Sequence, residues 1–315
     1  SRSSAASDVY KRQVRGSVTL LIMTINTIVL TVILFVMALG KLLVGKGAAL
    51  NWLRKVLAGL AVTWISINNA TFSLMRLTRW DIEVPSGLEV EGCYLVCSNH
   101  QSWADVVVLQ RAFTRKLPFF RVFLKSSLIW VPFLGAAWWA LDMPFMKRAS
   151  KEALSRKPGL KGKDLENARI ACEKFREIPV SMMTFPEGTR FSPAKRDSSN
   201  SPYQNLLKPR IGGIGQVFYA LAEPMDAAID VTIVYPGMPG EQVAPTFWQF
   251  VSGQVPRIVV RARQLQVPQD LLGRNFRTDP TFRSELEDWV NQLLSLIHIS
   301  EPTRRRDSSS MPSSA

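Results

Sequence analysis

An uninterrupted apolar segment near the N-terminus most restricts how this chain can fold. Residues 17–40, SVTLLIMTINTIVLTVILFVMALG, are apolar over 24 residues, and only Asn26 and hydroxyl side chains interrupt them. At about 1.5 Å per residue, a helix of this length crosses the roughly 30 Å hydrocarbon layer of a membrane. The segment is too long for a signal-peptide core, and no small-residue cleavage pattern follows it. It therefore predicts an N-terminal transmembrane helix or helical membrane anchor.

Basic residues lie mainly after this apolar segment. Lys41, Lys46, Arg54 and Lys55 follow it, whereas Arg15 precedes it. Because loops on the cytoplasmic side of a membrane carry an excess of Lys and Arg, we expect the following domain on that side.

The next segment, residues 50–80, mixes apolar and basic residues. It fits a second, shallower helix that lies at the membrane interface or returns through one leaflet. It fits equally well a buried helix of a soluble domain. With the first helix, it predicts an anchoring region over residues 14–80.

The two ends of the chain are related at the level of DNA. DVYKRQ, near the N-terminus, can be encoded by an element whose reverse complement encodes LSLIHI, near the C-terminus. Unrelated protein termini should not translate opposite strands of one element, so we interpret residues 1–13 and 294–315 as adapter-derived. His298 belongs to the second of these segments, which leaves His100 as the other histidine of the chain.

Charge and cysteine usage narrow the class of protein. Without the two end segments the net charge falls from +14 to about +11, which suits anionic lipid, phosphorylated small molecules or nucleic acid. The three cysteines, Cys93, Cys97 and Cys172, lack the spacing of a metal site. Cys93 and Cys97 lie on one face of a predicted strand, which indicates buried free thiols in a reducing compartment.

From residue 81 onward, apolar strand-like segments alternate with helical ones. Strands are predicted over 92–98, 180–185 and 227–235, and helices over 104–113, 164–177 and 279–294. Continuous apolar strands are typical of a sheet buried on both faces, and alternation with helices predicts an α/β domain with a mainly parallel sheet over residues 81–293. Residues 191–205 are predicted to be a polar loop. Residues 127–145, with three tryptophans, fit either a membrane-facing surface or core packing.

His100 lies at a predicted strand–helix junction, in SNHQSWAD, and Asp105 lies about one turn inside the helix. A neutral imidazole accepts a proton near physiological pH, and a carboxylate can fix its tautomer and stabilise the imidazolium. A structural interpretation is also open, because Ser102 and Asp105 have the spacing of a helix capping box.

A second candidate site is the turn in TFPEGTRFS, residues 184–192. A strand is predicted to end at Phe185, Pro186 stops the ladder, and Gly188 allows a tight turn. Loops at strand ends are where α/β folds place ligands, and the planar fork of Arg190 matches a phosphate. An ordinary turn with a solvated arginine is the alternative.

Other basic residues lie in MPFMKR and in LKPRIGGIG, whose glycines let a backbone approach an anion closely. The sequence contains no G-x-S-x-G nucleophile elbow, P-loop or dinucleotide fingerprint, and no aromatic-interleaved nucleic-acid pattern. Nothing obvious in it forms a covalent acyl-enzyme.

Taken in order, these segments resemble the motifs of the glycerolipid acyltransferase family. NHQSWAD is similar to the family's His-x4-Asp motif, PFMKR to its Phe-x-x-Arg motif, and FPEGTR to its third motif, while LKPRIGG and VTIVYPG lie where later motifs fall. The resemblance covers residues 17–293 and looks closest to a bacterial branch of 1-acyl-sn-glycerol-3-phosphate acyltransferases. VTIVYP departs from the Val-Pro-Val type segment of many relatives, which leaves the role of Pro236 open.

The resemblance implies a fold like that of glycerol-3-phosphate acyltransferase and transfer of an acyl group to lysophosphatidic acid, giving phosphatidic acid. His100 is then the general base, Asp105 orients it, and backbone amides near the helix start are expected to stabilise the oxyanion. The implied substrate-binding residues are Arg148, Glu187, Gly188, Thr189, Arg190 and Lys208.

The implied partners are membrane lipids and an acyl donor, acyl-CoA or acyl-carrier protein, with no nucleic acid, no metal and no redox cofactor. The implied location is a bacterial inner membrane with the catalytic domain on the cytoplasmic side. Three alternatives stay open: another lysophospholipid as the acceptor, a lipid hydrolase that uses Ser102 or another serine with His100, and a catalytically silent membrane-binding module.

Overall fold

A computed structural model of the chain describes residues 2–45, 47–75, 78–146, 159–238 and 244–300. Its N-terminal region is a pair of long helices, α1 (Arg2–Leu39) and α2 (Ala48–Met75), joined through a 3₁₀ turn at Gly40–Leu42.

The two long helices pack along one another. The buried residues of α2 recur every three or four positions and so form one face: Leu53, Leu57, Ala61, Ile65, Asn68, Thr71 and Phe72. Within the pair, the Asn26 side-chain amide donates to Oδ1 of Asn68 at 2.9 Å and to the Trp64 carbonyl at 3.0 Å. Such polar contacts fix the register of helices whose remaining contacts are apolar.

Both helices have the length and composition of a membrane span. An 18-residue window has a mean hydropathy of 2.6 within Val9–Leu42 and of 1.2 within Ala48–Met75. Only 22% and 33% of these apolar windows are buried, and the outer face of α1 exposes large apolar side chains such as Leu21 and Val36. An N-terminal helical pair suited to a membrane is therefore present, while the depth of residues 50–80 in a membrane stays a prediction.

The described strands form two sheets. Their bounds are β1 Arg79–Glu83, β2 Cys93–Ser98, β3 Phe120–Val122, β4 Leu124–Lys125, β5 Phe145–Met146, β6 Val180–Thr184, β7 Ala227–Val234 and β8 Arg257–Leu265. The main sheet has the order β1-β8-β7-β2-β6-β3, and β4 pairs with β5 separately. In the main sheet only β7 and β8 pair antiparallel, which confirms the prediction of a mainly parallel sheet.

Helices cover both faces of the main sheet. Their bounds are α3 Ala104–Phe113, α4 Leu134–Ala140, α5 Gly159–Glu173, α6 Pro193–Ser198, α7 Gly212–Ala220, α8 Phe247–Val251 and α9 Pro280–Ser300. One apolar core joins the sheet to α3, α8 and the end of α2, and a second joins it to α5, α7 and α9. Val96 lies in the first core and its neighbours Leu95 and Cys97 in the second, as the alternation of a central strand requires.

Several local predictions are changed by the structure. The predicted polar loop contains α6, because Ser192 caps the helix by accepting from the Lys195 amide and Pro193 occupies the first turn. The helix predicted over 164–177 runs instead over Gly159–Glu173. The tryptophan-rich segment, residues 127–145, has both exposed and buried parts. Trp130 is 86% exposed, whereas Ala137 and Ala140 are buried.

The two end segments and the cysteines were also the subject of predictions from the sequence. α1 begins at Arg2 and α9 ends at Ser300, so both helices include residues that we interpret as adapter-derived. That interpretation concerns the origin of the DNA and stays a prediction. The three cysteines are free and buried, as predicted, and burial raises the pKa of the Cys93 thiol to about 12.

Candidate functional site

The sheet topology brings the two candidate motifs together. β2 and β6 are parallel neighbours with Cys97 opposite Thr184, so the segments that follow them leave the same edge of the sheet side by side. The Phe191 amide donates to the His100 carbonyl at 2.7 Å and joins the two segments directly. The carboxyl edge of parallel strands is where α/β folds bind ligands.

His100 and Asp105 are in contact. Nδ1 of His100 lies 2.8 Å from Oδ2 of Asp105, and the carboxylate is fully buried. The same oxygen accepts the amides of Gln101 at 2.6 Å and Ser102 at 2.8 Å, and the Tyr235 hydroxyl donates to Oδ1. Because Oδ2 of Asp105 accepts at this contact, we assign the proton of the neutral imidazole to Nδ1, which leaves Nε2 with its lone pair.

The imidazole ring of His100 stacks on Phe185 in addition to its contact with Asp105. Its centroid lies 3.9 Å from that of Phe185, with 13° between the ring planes. Within the described part of the chain, no hydrogen bond reaches Nε2, and the side chain keeps some exposure to solvent. The arrangement therefore presents an oriented base to a ligand at the sheet edge.

The helix start also has a structural role. The Ser102 hydroxyl donates to the Pro245 carbonyl at 2.6 Å and accepts from the Ala104 amide at 3.1 Å. Asp105 caps two amides while it contacts His100, so the capping and catalytic interpretations are compatible. The buried Ser102 hydroxyl is directed away from a nucleophilic role, which argues against the hydrolase alternative.

Four backbone amides at this helix start are engaged within the protein. The amide of His100 donates to Glu187, those of Gln101 and Ser102 to Asp105, and that of Ala104 to the Ser102 hydroxyl. Sequence alone could not show that side chains from the same loop and from the turn after β6 accept from these donors. Oxyanion stabilisation by amides near this helix start stays a prediction.

Glu187 connects three loops. Oε1 accepts the His100 amide at 2.8 Å and Oε2 accepts the Leu207 amide at 2.9 Å. Burial raises the pKa of this carboxyl to about 7, although both amides oppose the shift. Since both oxygens are occupied within the protein, its predicted contact with substrate stays a prediction.

The turn after β6 has a glycine for a conformational and a steric reason. Gly188 has a φ of 68°, and a Cβ there would lie 2.8 Å from Cδ of Arg210. The Arg210 amide donates to the Pro186 carbonyl at 2.7 Å. Arg210, which lies in the LKPRIGG motif but was not among the predicted site residues, therefore packs against this turn.

Two further cations lie on the exposed side of the turn. The guanidinium of Arg190 lies 4.9 Å from the centroid of Trp103, a residue of the His100 loop. Lys195 donates to the Thr189 hydroxyl at 3.0 Å and to the Arg190 carbonyl at 2.9 Å. The turn thus places positive charge beside the loop that holds the base, and such charge suits a phosphate.

The remaining predicted site residues are placed differently. Lys208 is exposed and lies 3.9 Å from Glu287 of α9. Arg148 lies outside the described residues, so its predicted role is unchanged.

Sequence reasoning missed Tyr235, Trp103 and Lys195. Tyr235 is the last residue of a predicted strand and Trp103 lies inside the first motif, and these positions were the sequence signals that could have identified them. Lys195 gave none, because its helix was not predicted.

At the carboxyl edge of a mainly parallel sheet, a histidine paired with a buried carboxylate thus lies beside a cationic turn, an arrangement that suits proton transfer at a bound anionic ligand. The sequence model of the family described as Acyltransferase matches residues 80–235, which contain this pair and this turn. The chain belongs to the glycerolipid acyltransferase family.

Two curated relatives illustrate the similarity. The chain is 25% identical over 195 residues to the 1-acyl-sn-glycerol-3-phosphate acyltransferase epsilon of Mus musculus, covering 55% of this chain and 50% of that protein. It is 24% identical over 237 residues to the 2-acyl-1-lysophosphatidylinositol acyltransferase of Saccharomyces cerevisiae, covering 59% and 60%. The chain therefore spans about half to three fifths of the length of these relatives.

Among solved structures, the crystal structure of the 1-acyl-sn-glycerophosphate (LPA) acyltransferase PlsC from Thermotoga maritima aligns with a TM-score of 0.49 and 15% identity. The alignment covers 90% of this chain and 97% of that one.

Proposed function

We propose that this chain is a membrane-bound acyltransferase that transfers an acyl group from a thioester donor to the free hydroxyl of lysophosphatidic acid, giving phosphatidic acid. The observation that carries the proposal is the fixed His100 ring, whose Nδ1 is engaged by Asp105 while Nε2 has no hydrogen-bond partner among the described residues and the side chain keeps some exposure to solvent. Acyl-CoA and acyl-carrier protein are the two donors to compare.

In the proposed reaction, Nε2 of His100 takes the proton of the acceptor hydroxyl as its oxygen attacks the thioester carbonyl carbon. The tetrahedral intermediate collapses by breaking the carbon–sulfur bond, and the leaving thiolate takes the proton back from the imidazolium. Asp105 stabilises the transient imidazolium, because its buried carboxylate lies 2.8 Å from Nδ1. No covalent acyl-enzyme is formed, in keeping with the engaged Ser102 hydroxyl.

We assign recognition of the acceptor phosphate to the turn after β6. Arg190 and Lys195 are exposed there, and Arg190 is held over Trp103. Arg148 is retained as a candidate from the family motif, and Lys208 as a weaker one. Glu187 acts mainly by holding the loops together, since both of its oxygens accept backbone amides.

Membrane attachment follows from the lipidic substrates and from α1 and α2. The exposed apolar face of α1 suits the hydrocarbon layer, so the acceptor reaches the site from the membrane surface. The basic residues after α1 favour the cytoplasmic side of a bacterial inner membrane for the catalytic domain.

A second candidate is the acylation of another lysophospholipid. It is favoured by the yeast relative, whose name specifies lysophosphatidylinositol. The exposed cationic turn binds a phosphate in either case, so head-group choice rests on contacts beyond that phosphate.

The test is acyl transfer by the purified full chain in detergent micelles, with acyl-CoA and acyl-carrier protein each offered with lysophosphatidic acid, lysophosphatidylglycerol, lysophosphatidylinositol and lysophosphatidylcholine. We expect the highest kcat/KM with lysophosphatidic acid. His100→Ala should lower the rate by about 10²- to 10⁴-fold, the usual contribution of a general base.

Thermal unfolding of the His100→Ala protein supplies the control for folding. A folded variant with undiminished transfer would show that the base is assigned wrongly. Release of free fatty acid without a diacyl product would instead show a hydrolase.

A further inference from the structure

Away from the His100 site, three basic side chains and one acid meet where the helical pair joins the α/β domain. Lys41 lies in the turn after α1, Arg54 in the first part of α2, Arg121 on β3, and Asp142 just after α4. Nζ of Lys41 lies 2.9 Å from Oδ1 of Asp142, and Nε of Arg54 lies 3.4 Å from Oδ2. One carboxylate is therefore shared between two cations.

Arg121 is the third cation of the cluster and has no acid of its own. Its side chain is 4% exposed and packs over the rings of Phe119 and Phe175, at 4.9 and 5.4 Å. Among the described residues no acid forms an ion pair with it, and its buried Nε has no hydrogen-bond partner. Nη1 makes one long contact, 3.5 Å, with the Phe119 carbonyl.

The guanidinium stays charged at neutral pH. The pKa of Arg121 is lowered to about 10, mainly by burial. The charge of Asp142 opposes this shift, and the charge of Arg54 contributes to it. The cluster thus holds three positive charges against one negative charge. Buried charges in native proteins are normally paired, because leaving one unpaired in a poorly solvated environment is costly. An anion would remove this imbalance and supply the acceptor that Nε of Arg121 lacks.

The backbone of the cluster also departs from relaxed geometry. Asp142 has a φ of 56°, in the left-handed region, and this conformation directs its carboxylate between Lys41 and Arg54. Unfavourable backbone conformations persist where the surroundings hold them, often at binding sites. The side chains of Lys41, Arg54 and Asp142 keep 11–20% exposure, so the cluster is open on one side.

We propose that Lys41, Arg54 and Arg121 form a phosphate-binding site that does not share residues with the turn after β6. The two guanidinium groups match the oxygens of a phosphate, and the ammonium adds a point charge. Asp142 holds two of the three cations in place when the site is empty.

The neighbouring surface favours a lipid as the source of the phosphate. Leu42 and Leu43 of the α1–α2 turn and Trp52 of α2 are large, exposed apolar side chains that adjoin the cations in sequence. Such a surface suits a membrane–water boundary, where a head group meets the basic residues and its tails lie against the apolar ones. The phosphates of coenzyme A have the same chemistry, and that second source rests on the proposed function.

The test measures binding to the purified full chain in dodecyl maltoside, without turnover, by the rise in Tm. Phosphatidylglycerol, phosphatidylcholine with the same acyl chains, coenzyme A and inorganic phosphate are titrated separately. At roughly 100 times its dissociation constant, a specific ligand should raise the Tm by about 5–10 °C. We expect phosphatidylglycerol to do so and phosphatidylcholine to have a much smaller effect.

Arg54→Gln tests the site, and Lys55→Gln is its matched control, because Lys55 is the next residue of α2 and pairs with Glu91 outside the cluster. Arg54→Gln should weaken the response at least about tenfold, the effect of losing one charge-assisted contact, while Lys55→Gln should not. Lys41→Gln is the second variant, used because replacement of the buried Arg121 can prevent folding.

The outcomes separate the possible sources of the phosphate. A response to coenzyme A alone, lost in Arg54→Gln, would support the phosphate site and assign it to the donor. Equal responses of Arg54→Gln, Lys41→Gln and Lys55→Gln to every ligand would overturn the proposal. Because binding is measured without turnover, the response to phosphatidylglycerol does not depend on whether the proposed acyltransferase activity is correct.

Discussion

Asp105→Asn separates the charge of the His100 partner from its shape. The asparagine oxygen can accept the three hydrogen bonds now made to Oδ2, from His100 and the amides of Gln101 and Ser102. Its NH₂ group can donate to the Tyr235 hydroxyl, which is able to accept as well as donate. We therefore expect the loop to keep its conformation while the carboxylate charge is lost.

The size of the effect follows from the geometry. A full charge pair at 2.8 Å in an effective dielectric constant of about 20 is worth about 6 kcal/mol. If roughly half of the proton charge has moved to His100 in the transition state, about 3 kcal/mol of stabilisation disappears with the carboxylate. Asp105→Asn should thus lower kcat by about 10²-fold. KM should change little, because Asp105 is buried behind the imidazole.

The assay is the initial rate of diacyl product formation from lysophosphatidic acid and acyl-CoA, with thermal unfolding of each variant alongside. Tyr235→Phe is the matched control, since it removes one donor to Asp105 and leaves the charge. It should cost about 1.5–3 kcal/mol of stability, the worth of a hydrogen bond to a charged group, and reduce kcat less than Asp105→Asn does.

The double variant adds a further constraint. In the double variant, Asp105→Asn with Tyr235→Phe, the asparagine NH₂ is left buried without an acceptor. The loss of unfolding free energy in the double variant should therefore exceed the sum of the losses in the two single variants. A folded Asp105→Asn protein that keeps kcat within about threefold of wild type would refute an oriented His100 base.

Two other predictions concern the loops around the base. Burial raises the pKa of Glu187 from its ordinary 4.5 to about 7, so the folded state binds more protons between these values. Wild type should therefore lose up to about 3 kcal/mol of unfolding free energy relative to Glu187→Gln as the pH rises through that window. Denaturation in detergent at pH 4.5 and pH 8 measures the difference, and a pH-independent difference would contradict the shifted pKa. Trp103→Ala removes the ring under Arg190, a contact worth about 0.5–1 kcal/mol at an exposed site. It should raise KM for lysophosphatidic acid about two- to fivefold with kcat nearly unchanged. A fall in kcat at constant KM would show that Trp103 acts on the base instead.

The central strands of the main sheet and helix α3 could be predicted from the sequence. β2, β6 and β7 are continuous apolar runs, and burial on both faces of a sheet demands that pattern. α3 occupies the predicted residues, 104–113, because its polar start and apolar face are both local features. Local pattern was sufficient wherever burial alone decided the conformation.

The edge of the sheet could not be predicted in the same way. β8 pairs antiparallel with β7 and parallel with β1, and no local pattern specifies which strands become neighbours. α6 was missed because its six residues, PAKRDS, contain no apolar periodicity, although Ser192 followed by Pro193 is a helix start.

The site was predicted as a pair of motifs rather than as a network. His100 and Asp105 are five residues apart, so their contact could be expected from one turn of helix. Tyr235 reaches Asp105 from 130 residues away, through the pairing of β7 with β2. Glu187 likewise reaches the His100 amide from the neighbouring strand end. Contacts of this kind depend on strand order, which the sequence pattern leaves open.

The network explains why Glu187 belongs in the motif even if it never contacts substrate. Oε1 holds the amide of His100, whose ring is the proposed base, and Oε2 holds Leu207, just before the segment that carries Arg210. The turn between them also carries Arg190. A single buried carboxylate therefore fixes the distance between His100 and the cations of the turn. In the proposed reaction the acceptor hydroxyl and phosphate must fit that distance, so we expect the geometry at Glu187 to control how a bound acceptor is aligned with Nε2.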